Sequence, residues 1–142
     1  NQVSLRVVSV NCNNLDNKTH NQICKFSEKN DPDIVFLQET WKRDGFNGRS
    51  YQMEKYFAEF RCRSKGEKQG GGTAVYWKKD LKVRVWNPPV DDENNEWIKN
   101  ERIWIFVEDK DMCAVPGICL DHGIVDCSEK PTIGKDDWQI PN

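Results

Sequence analysis

The stretch that decides the fold is Asp31–Trp41, with the sequence DPDIVFLQETW. After a turn-forming Asp-Pro pair, four large apolar residues run from 34 to 37 and are followed by Gln38, Glu39 and Thr40. Such a run is typical of a central parallel strand that is buried on both faces. Because ligands of open α/β sheets bind at the carboxyl ends of strands, Glu39 is a candidate site residue. The alternative is that Glu39 only begins a solvated loop.

The residues before this stretch predict a strand and a helix beside it. Leu5–Val10 is rich in β-branched residues and ends at Asn11, which opens a turn-forming NCNN segment. A capping-box pattern that starts at Thr19 predicts a helix as far as Asn30. Such a strand-helix-strand unit crosses over right-handedly and places its strands parallel, so Asn11 and Glu39 are expected at the same edge of the sheet.

Alternating apolar residues predict five further strands. They are Tyr56–Arg63, Thr73–Trp77, Leu81–Trp86, Arg102–Val107 and Met112–Leu120. The first two are expected to form an antiparallel pair around a glycine-containing tip, and Pro116 requires the last to lie at an edge or a bulge. The residues beyond Leu120 predict loop with a short helix near Asp136. One strand-helix-strand unit followed by hairpin-connected strands indicates a mixed α/β fold.

The composition indicates one globular domain over residues 1–142, with 37% hydrophobic and 31% charged residues. A chain of this length buries roughly two thirds of its unfolded surface. Because the chain begins at Asn rather than Met, we expect it to be an excerpt from something longer. No apolar stretch approaches the roughly 18 residues of a membrane span, and no charged-then-apolar leader is present, which predicts neither a membrane protein nor an exported one.

The cysteines favour an intracellular protein, nuclear or cytoplasmic. Six are present, at positions 12, 24, 62, 113, 119 and 127, and none forms a CxxC pair. Only two histidines are available to complete a soft metal site. The six residues are therefore interpreted as reduced thiols.

The formal net charge of −2 gives no overall attraction to nucleic acid, so a DNA contact requires a local patch. One candidate patch has four basic residues against Glu67, a local charge of +3. Its members are Arg61, Arg63, Lys65 and Lys68. Such a cluster can grip phosphates in a salt-sensitive manner, and the alternative is a solvated basic face.

The neighbouring glycine run does not fit a phosphate-binding P-loop. Gly66 and Gly71 have the required separation, but Gly72 stands where that motif needs Lys, and no helix pattern follows. The glycines are instead expected to allow a tight hairpin or a close approach of backbones. His20 and His122 show no neighbours of a nucleophilic triad, and His20 is expected at the surface.

Three blocks of the chain, in this order, resemble the amino-terminal half of the endonuclease/exonuclease/phosphatase superfamily. They are VSVNCNNL at 8–15, PDIVFLQET at 32–40 and GGGTAVYWKKDL at 70–81. The third block is especially similar to the endonuclease domains of non-long-terminal-repeat retrotransposons. The resemblance covers roughly Leu5–Leu120 and implies a partial two-sheet sandwich flanked by helices.

The resemblance implies that Asn11 and Glu39 share the active site, where Glu39 binds Mg²⁺, or Mn²⁺ in its place, and Asn11 contacts the metal or phosphate. Asn13 matches a position that supports the site. A hard cation favours carboxylate and amide oxygens and keeps several waters, which agrees with this pair. The implied activity is metal-assisted nicking of DNA. The implied partners are DNA and a fused reverse transcriptase.

The chain also departs from the family pattern. The later catalytic elements of the family are an Asp-x-Asn pair and a terminal Ser-Asp-His block, and neither follows Leu120. Cys119 stands where the family has a tyrosine that contacts the phosphate. The chain alone is therefore expected to be inactive. Two alternatives remain: a catalytically dead relic or binding module, and a phosphoinositide phosphatase or sphingomyelinase-like hydrolase of the same fold.

Overall fold

The computed structural model describes residues 5–43, 45–62, 71–86, 103–108, 118–121, 124–125 and 138–139. The first elements are strand β1 (Val7–Asn11), helix α1 (Asn17–Asn30), strand β2 (Ile34–Gln38) and a short 3-10 helix (Gly48–Tyr51). Strands β3 (Tyr56–Arg61), β4 (Thr73–Lys78), β5 (Lys82–Trp86) and β6 (Ile103–Glu108) follow. The last strands are β7 (Ile118–Asp121), β8 (Ile124–Val125) and β9 (Trp138–Gln139).

The first sheet has the strand order β1-β2-β4-β3. Strands β1 and β2 are parallel, as the strand-helix-strand pattern predicts, and β4 is antiparallel to both β2 and β3. All five residues of β2 are buried, because this strand lies inside the sheet and is covered on both faces. The prediction for the central strand is therefore confirmed.

The second sheet is antiparallel, with the order β8-β7-β6-β5-β9. Strand β7 is shorter than the predicted Met112–Leu120, whose first part lies outside the described residues. Cys119 lies in β7 and pairs with Trp104 of β6. The helix expected near Asp136 also falls outside the described residues, while Trp138–Gln139 pairs with β5.

The two sheets face each other across a continuous apolar core. Its first-sheet members are Ile34, Phe36, Val75 and Trp77, and its second-sheet members are Val83, Val85, Ile103, Ile105 and Val107. All nine are less than 4% exposed. This layer confirms the predicted class, a partial two-sheet sandwich of mixed α/β type.

Helix α1 covers the outer face of the first sheet, and its start corrects the sequence prediction. Its N-cap is Asp16 rather than Thr19, because the Asp16 side chain accepts a hydrogen bond from the Thr19 backbone N–H at 2.8 Å. His20 is buried, not at the surface as expected, and its ring packs edge-on against Tyr51 with the ring centroids 5.4 Å apart. Burial lowers the pKa of His20, which favours the neutral ring between the helix and Tyr51.

Within the described ranges, no helix is long and apolar enough to cross a membrane. Cys12, Cys24 and Cys62 are free thiols, as expected. Burial raises the pKa of Cys12 to about 12, so this thiol stays protonated and acts as core material.

Candidate functional site

Asn11 and Glu39 lie at the same edge of the first sheet. Asn11 is the last residue of β1 and is paired in register with Gln38, the last residue of β2. Strand spacing and the step to the next residue place the Cα atoms of Asn11 and Glu39 within about 9 Å of each other. The parallel strand pair therefore brings together two residues that are far apart in the sequence.

Backbone hydrogen bonds hold the segment that follows β2 on both of its sides. On one side, the backbone N–H groups of Asn14 and Leu15 donate to the carbonyls of Glu39 and Thr40, both at 2.9 Å. On the other side, the Thr40 N–H donates to Gly72 O at 3.1 Å, and the Trp41 N–H donates to Gly71 O at 2.9 Å. The loop that carries Glu39 is thus built into the edge of the sheet.

The carboxylate of Glu39 is also held, through one of its two oxygens. Oε2 accepts a hydrogen bond from the Trp41 indole N–H at 2.9 Å and one from the Gly71 backbone N–H at 2.8 Å. Oε1 has no hydrogen-bond partner in the described part of the chain. These contacts hold the Glu39 carboxylate at the edge of the sheet, and its role as a site residue stays a prediction.

Four non-glycine residues at this edge have positive φ angles. They are Asn13 (47°), Asn14 (90°), Glu39 (53°) and Trp41 (60°). This conformation is unfavourable for residues with a Cβ, especially for Glu and Trp, and such strain concentrates at functional sites. Asn adopts this conformation readily, so the strain falls on Glu39 and Trp41, whose loop is held in place by the surrounding structure rather than by its own preference.

The turn after β1 shapes the position of Asn11. Its side-chain Oδ1 accepts a hydrogen bond from the Asn13 backbone N–H at 3.1 Å, the geometry of an Asx turn. Asn11 and Asn13 are both exposed. An amide oxygen has two lone pairs, so Asn11 Oδ1 can accept a second contact on its open side.

A row of polar side chains crosses the first sheet at this edge. Residues paired in register share a face of the sheet, and Asn11, Gln38, Thr73 and Arg61 are paired in that order from β1 to β3. This is the face that meets the second sheet, because the next residues along it in β2 and β4 are Phe36 and Val75 of the inter-sheet core. The sandwich therefore ends in a polar row.

Arg61, one member of the predicted basic patch, lies in the polar row. Arg61 forms an ion pair with Glu59 through its Nη1, and its side chain is 17% exposed. Arg61 thus lies at the end of the polar row rather than at a solvated hairpin tip. Arg63, Lys65 and Lys68 lie outside the described residues, so their proposed contact with nucleic acid stays a prediction.

The donor set at this edge suits a hard cation. Glu39 Oε1 and Asn11 Oδ1 are oxygen donors, the type that Mg²⁺ prefers. Among the residues described by the structure, no group of three His, Cys, Asp or Glu side chains could hold a metal ion. A cation bound by only these two residues would have to keep several of its waters, which is usual for Mg²⁺.

Sequence reasoning missed the residues that hold Glu39. Trp41 follows the QET triplet directly, and Gly71 lies 32 residues from Glu39, so only the tertiary structure shows that both donate to one oxygen. The close approach expected of the glycines is confirmed at Gly72. A Cβ at this position would overlap Thr40 Oγ1, and its φ is +86°.

Comparisons with known proteins agree with this architecture. Residues 8–112 match the profile of the endonuclease/exonuclease/phosphatase family. A search of curated proteins finds no match. An AP endonuclease from Leishmania major superposes with a TM-score of 0.61 and 20% identity, over 84% of this chain and 40% of that one.

Two further solved structures share less of the geometry. An AP endonuclease from Archaeoglobus fulgidus has a TM-score of 0.49 and 18% identity, over 75% of this chain and 38% of that one. A 3′ phosphatase from Neisseria, bound to a product DNA hairpin, has a TM-score of 0.47 and 24% identity over the same shares. The chain thus spans about 40% of the length of the solved structures that it resembles.

Proposed function

Since the chain belongs to the endonuclease/exonuclease/phosphatase family, we propose that it forms part of the active site of a divalent-metal-dependent phosphodiesterase that nicks DNA. The observation that carries this proposal is the geometry of Glu39. One carboxylate oxygen accepts hydrogen bonds from two donors and the other is open, at the sheet edge where β1 ends with Asn11.

Glu39 and Asn11 are the residues that would hold Mg²⁺ or Mn²⁺, with Asn13 shaping the turn that presents Asn11. Such an ion, when bound, supplies charge stabilisation to the scissile phosphate. The side chain of Gln38, which precedes Glu39, links β2 to β1 because its Nε2 donates to Ser9 Oγ at 2.5 Å on the inter-sheet face. The open oxygen of Glu39 therefore follows directly on a residue that is hydrogen-bonded across the two strands.

DNA is the proposed substrate because Arg61 of the polar row is followed in the sequence by three further basic residues. Arg61 lies at its β3 end, and Arg63, Lys65 and Lys68 follow in the sequence. Each phosphate contact of this kind releases counterions and makes binding salt-sensitive. Retrotransposon origin and a fused reverse transcriptase belong to the same proposal, supported by the similarity of the block at 70–81.

The proposal is tested with the complete reading frame that contains this chain. Supercoiled plasmid is incubated with Mg²⁺ or Mn²⁺, and formation of nicked circles is followed for the wild type and for Glu39→Gln. We expect the nicking rate of Glu39→Gln to be lower by about 100-fold or more. A catalytic metal contributes several kcal/mol, and each ~1.4 kcal/mol changes the rate tenfold. Glu54→Gln, which changes an exposed glutamate away from the edge, is the matched control.

The possible results separate the alternatives. Wild-type nicking rates in Glu39→Gln would reject the assignment of Glu39. Hydrolysis of a soluble phosphoinositide with plasmid left intact would favour the phosphatase alternative, and a wild type inactive on both would favour a relic. The 142-residue chain alone is expected to be inactive, because neither the Asp-x-Asn pair nor the Ser-Asp-His block follows Leu120.

A further inference from the structure

We propose that Trp41 and Gly71 form a clamp on Glu39 that determines which of its carboxylate oxygens binds the metal ion. Trp41 Nε1 and Gly71 N both donate to Oε2, at 2.9 and 2.8 Å. The inference rests on the proposed function, because it assigns to Trp41 the role of a positioning residue for the metal-binding glutamate.

The clamp leaves one oxygen available. A carboxylate oxygen accepts about two hydrogen bonds, so the two N–H donors occupy the capacity of Oε2. Oε1 keeps its full capacity, since it has no hydrogen-bond partner in the residues that the structure describes. Glu39 is thereby prepared to bind a cation through Oε1 alone.

The two donors are coupled to each other through the backbone. The Trp41 backbone N–H donates to Gly71 O at 2.9 Å, so the residue that provides the indole is hydrogen-bonded to the residue that provides the second donor. Trp41 also has a left-handed φ of 60°. This conformation lets the indole N–H reach back to a carboxylate only two residues earlier in the chain.

Gly72 allows the clamp to close. The Gly72 carbonyl accepts from the Thr40 N–H at 3.1 Å, and a Cβ on Gly72 would overlap the buried Thr40 Oγ1. Gly72 also has a φ of +86°, which favours glycine. A larger residue at 72 would force either Thr40, which follows Glu39, or the backbone that carries the Gly71 N–H to move.

The test measures Mn²⁺ binding to the 142-residue chain, by the loss of the electron paramagnetic resonance signal of free Mn²⁺. Trp41→Phe removes the N–H donor and keeps an aromatic ring, and a second variant carries 3-benzothienylalanine at 41, which replaces only the N–H with sulfur. We expect both to bind Mn²⁺ roughly 10- to 100-fold more weakly, the usual effect of losing a hydrogen-bond partner of a metal ligand.

A double-mutant cycle separates positioning from a general effect on folding. In the Glu39→Gln background, the Trp41→Phe change is expected to cause no further loss of Mn²⁺ affinity, because the two side chains act as one unit. Thermal unfolding in the presence of a chelator shows whether each variant is folded. A loss of Mn²⁺ affinity that is equal in both backgrounds would overturn the clamp.

The remaining outcomes distinguish this inference from the proposed function. If Glu39→Gln weakens Mn²⁺ binding and the variant with 3-benzothienylalanine binds like the wild type, the clamp is rejected and the function stands. If the wild type does not bind Mn²⁺, or Glu39→Gln binds equally well, the metal assignment fails and the clamp fails with it.

Two glycines provide a matched pair of substitutions. Gly72→Ala is expected to weaken Mn²⁺ binding at least as much as Trp41→Phe does, because the added methyl group overlaps Thr40 and shifts the segments that carry Glu39 and the Gly71 N–H relative to each other. Gly48→Ala is the control, since a Cβ at Gly48 meets nothing within 4 Å. Equal Mn²⁺ affinities in the two alanine variants would contradict the role of Gly72.

Discussion

At the residue scale, Glu39 shows how this site departs from local preference. Its φ of 53° is unfavourable for a residue with a Cβ. Backbone hydrogen bonds maintain this conformation: the Asn14 N–H donates to the Glu39 carbonyl, and the N–H groups of the two residues after Glu39 donate to the carbonyls of Gly72 and Gly71 in turn. The strain belongs to the backbone, so it should persist when the side chain is shortened.

We therefore expect Glu39→Gly to be more stable than Glu39→Ala by about 1 kcal/mol, because glycine adopts a positive φ without steric cost. Both variants lack the carboxylate, so the comparison isolates the backbone. Urea unfolding of the two variants measures the difference. The same pair of changes at Glu54, which does not have a positive φ, should show alanine as the more stable residue. If the alanine variant were the more stable one at both positions, the strain at Glu39 would be contradicted.

At the scale of single elements, helix α1 depends on the cap at its first turn. The Asp16 carboxylate accepts from the Thr19 backbone N–H, and this hydrogen bond lowers the pKa of Asp16. Because the folded pKa lies below the unfolded value of 3.8, the contribution is present above that value and is lost as pH falls through the folded pKa.

We expect Asp16→Ala to lower the melting temperature at pH 7, with the difference from the wild type shrinking below about pH 4, near the ordinary pKa of Asp. Asp16→Asn keeps a capping side chain and should remain closer to the wild type at pH 7. Circular dichroism melts from pH 2 to pH 7 provide the measurement. A destabilisation by Asp16→Ala that did not change with pH would show that the charged cap is not its cause.

At the scale of the whole molecule, the inter-sheet core contains residues of both sheets, so we expect the two sheets to unfold together. Ile105 of β6 is fully buried in this core, which also contains first-sheet residues such as Phe36. A void at this position removes contacts from both layers at once.

Ile105→Ala is expected to reduce the free energy of unfolding by about 2–5 kcal/mol, the usual cost of truncating a buried aliphatic side chain. Tryptophan fluorescence and circular dichroism should report a single shared transition in urea. Val7→Ala, at a position 40% exposed, is the control and should change stability by less than about 0.5 kcal/mol. Two separate transitions in the wild type would show that the sheets unfold independently.

The sequence by itself determined the central strand, the parallel neighbour and the edge where Asn11 and Glu39 meet. These follow from local hydrophobic pattern and from the fixed handedness of a strand-helix-strand unit. The start of α1 and the burial of His20 were not predictable in this way. A capping pattern at Thr19 competed with the better cap at Asp16, and Tyr51 covers His20 from a distant part of the chain.

Only the tertiary structure decided how Glu39 is held and what lies beside it. The indole of Trp41 and the N–H of Gly71 reach the same oxygen because β4 lies next to β2 in the sheet, with Gly71 two residues before the first residue of β4. Likewise, Arg61 joins the polar row because the register of β3 on β4 places it there. Hydrogen bonds between distant segments leave no periodic trace in a sequence, since they depend on strand register and on which loops the sheet brings together.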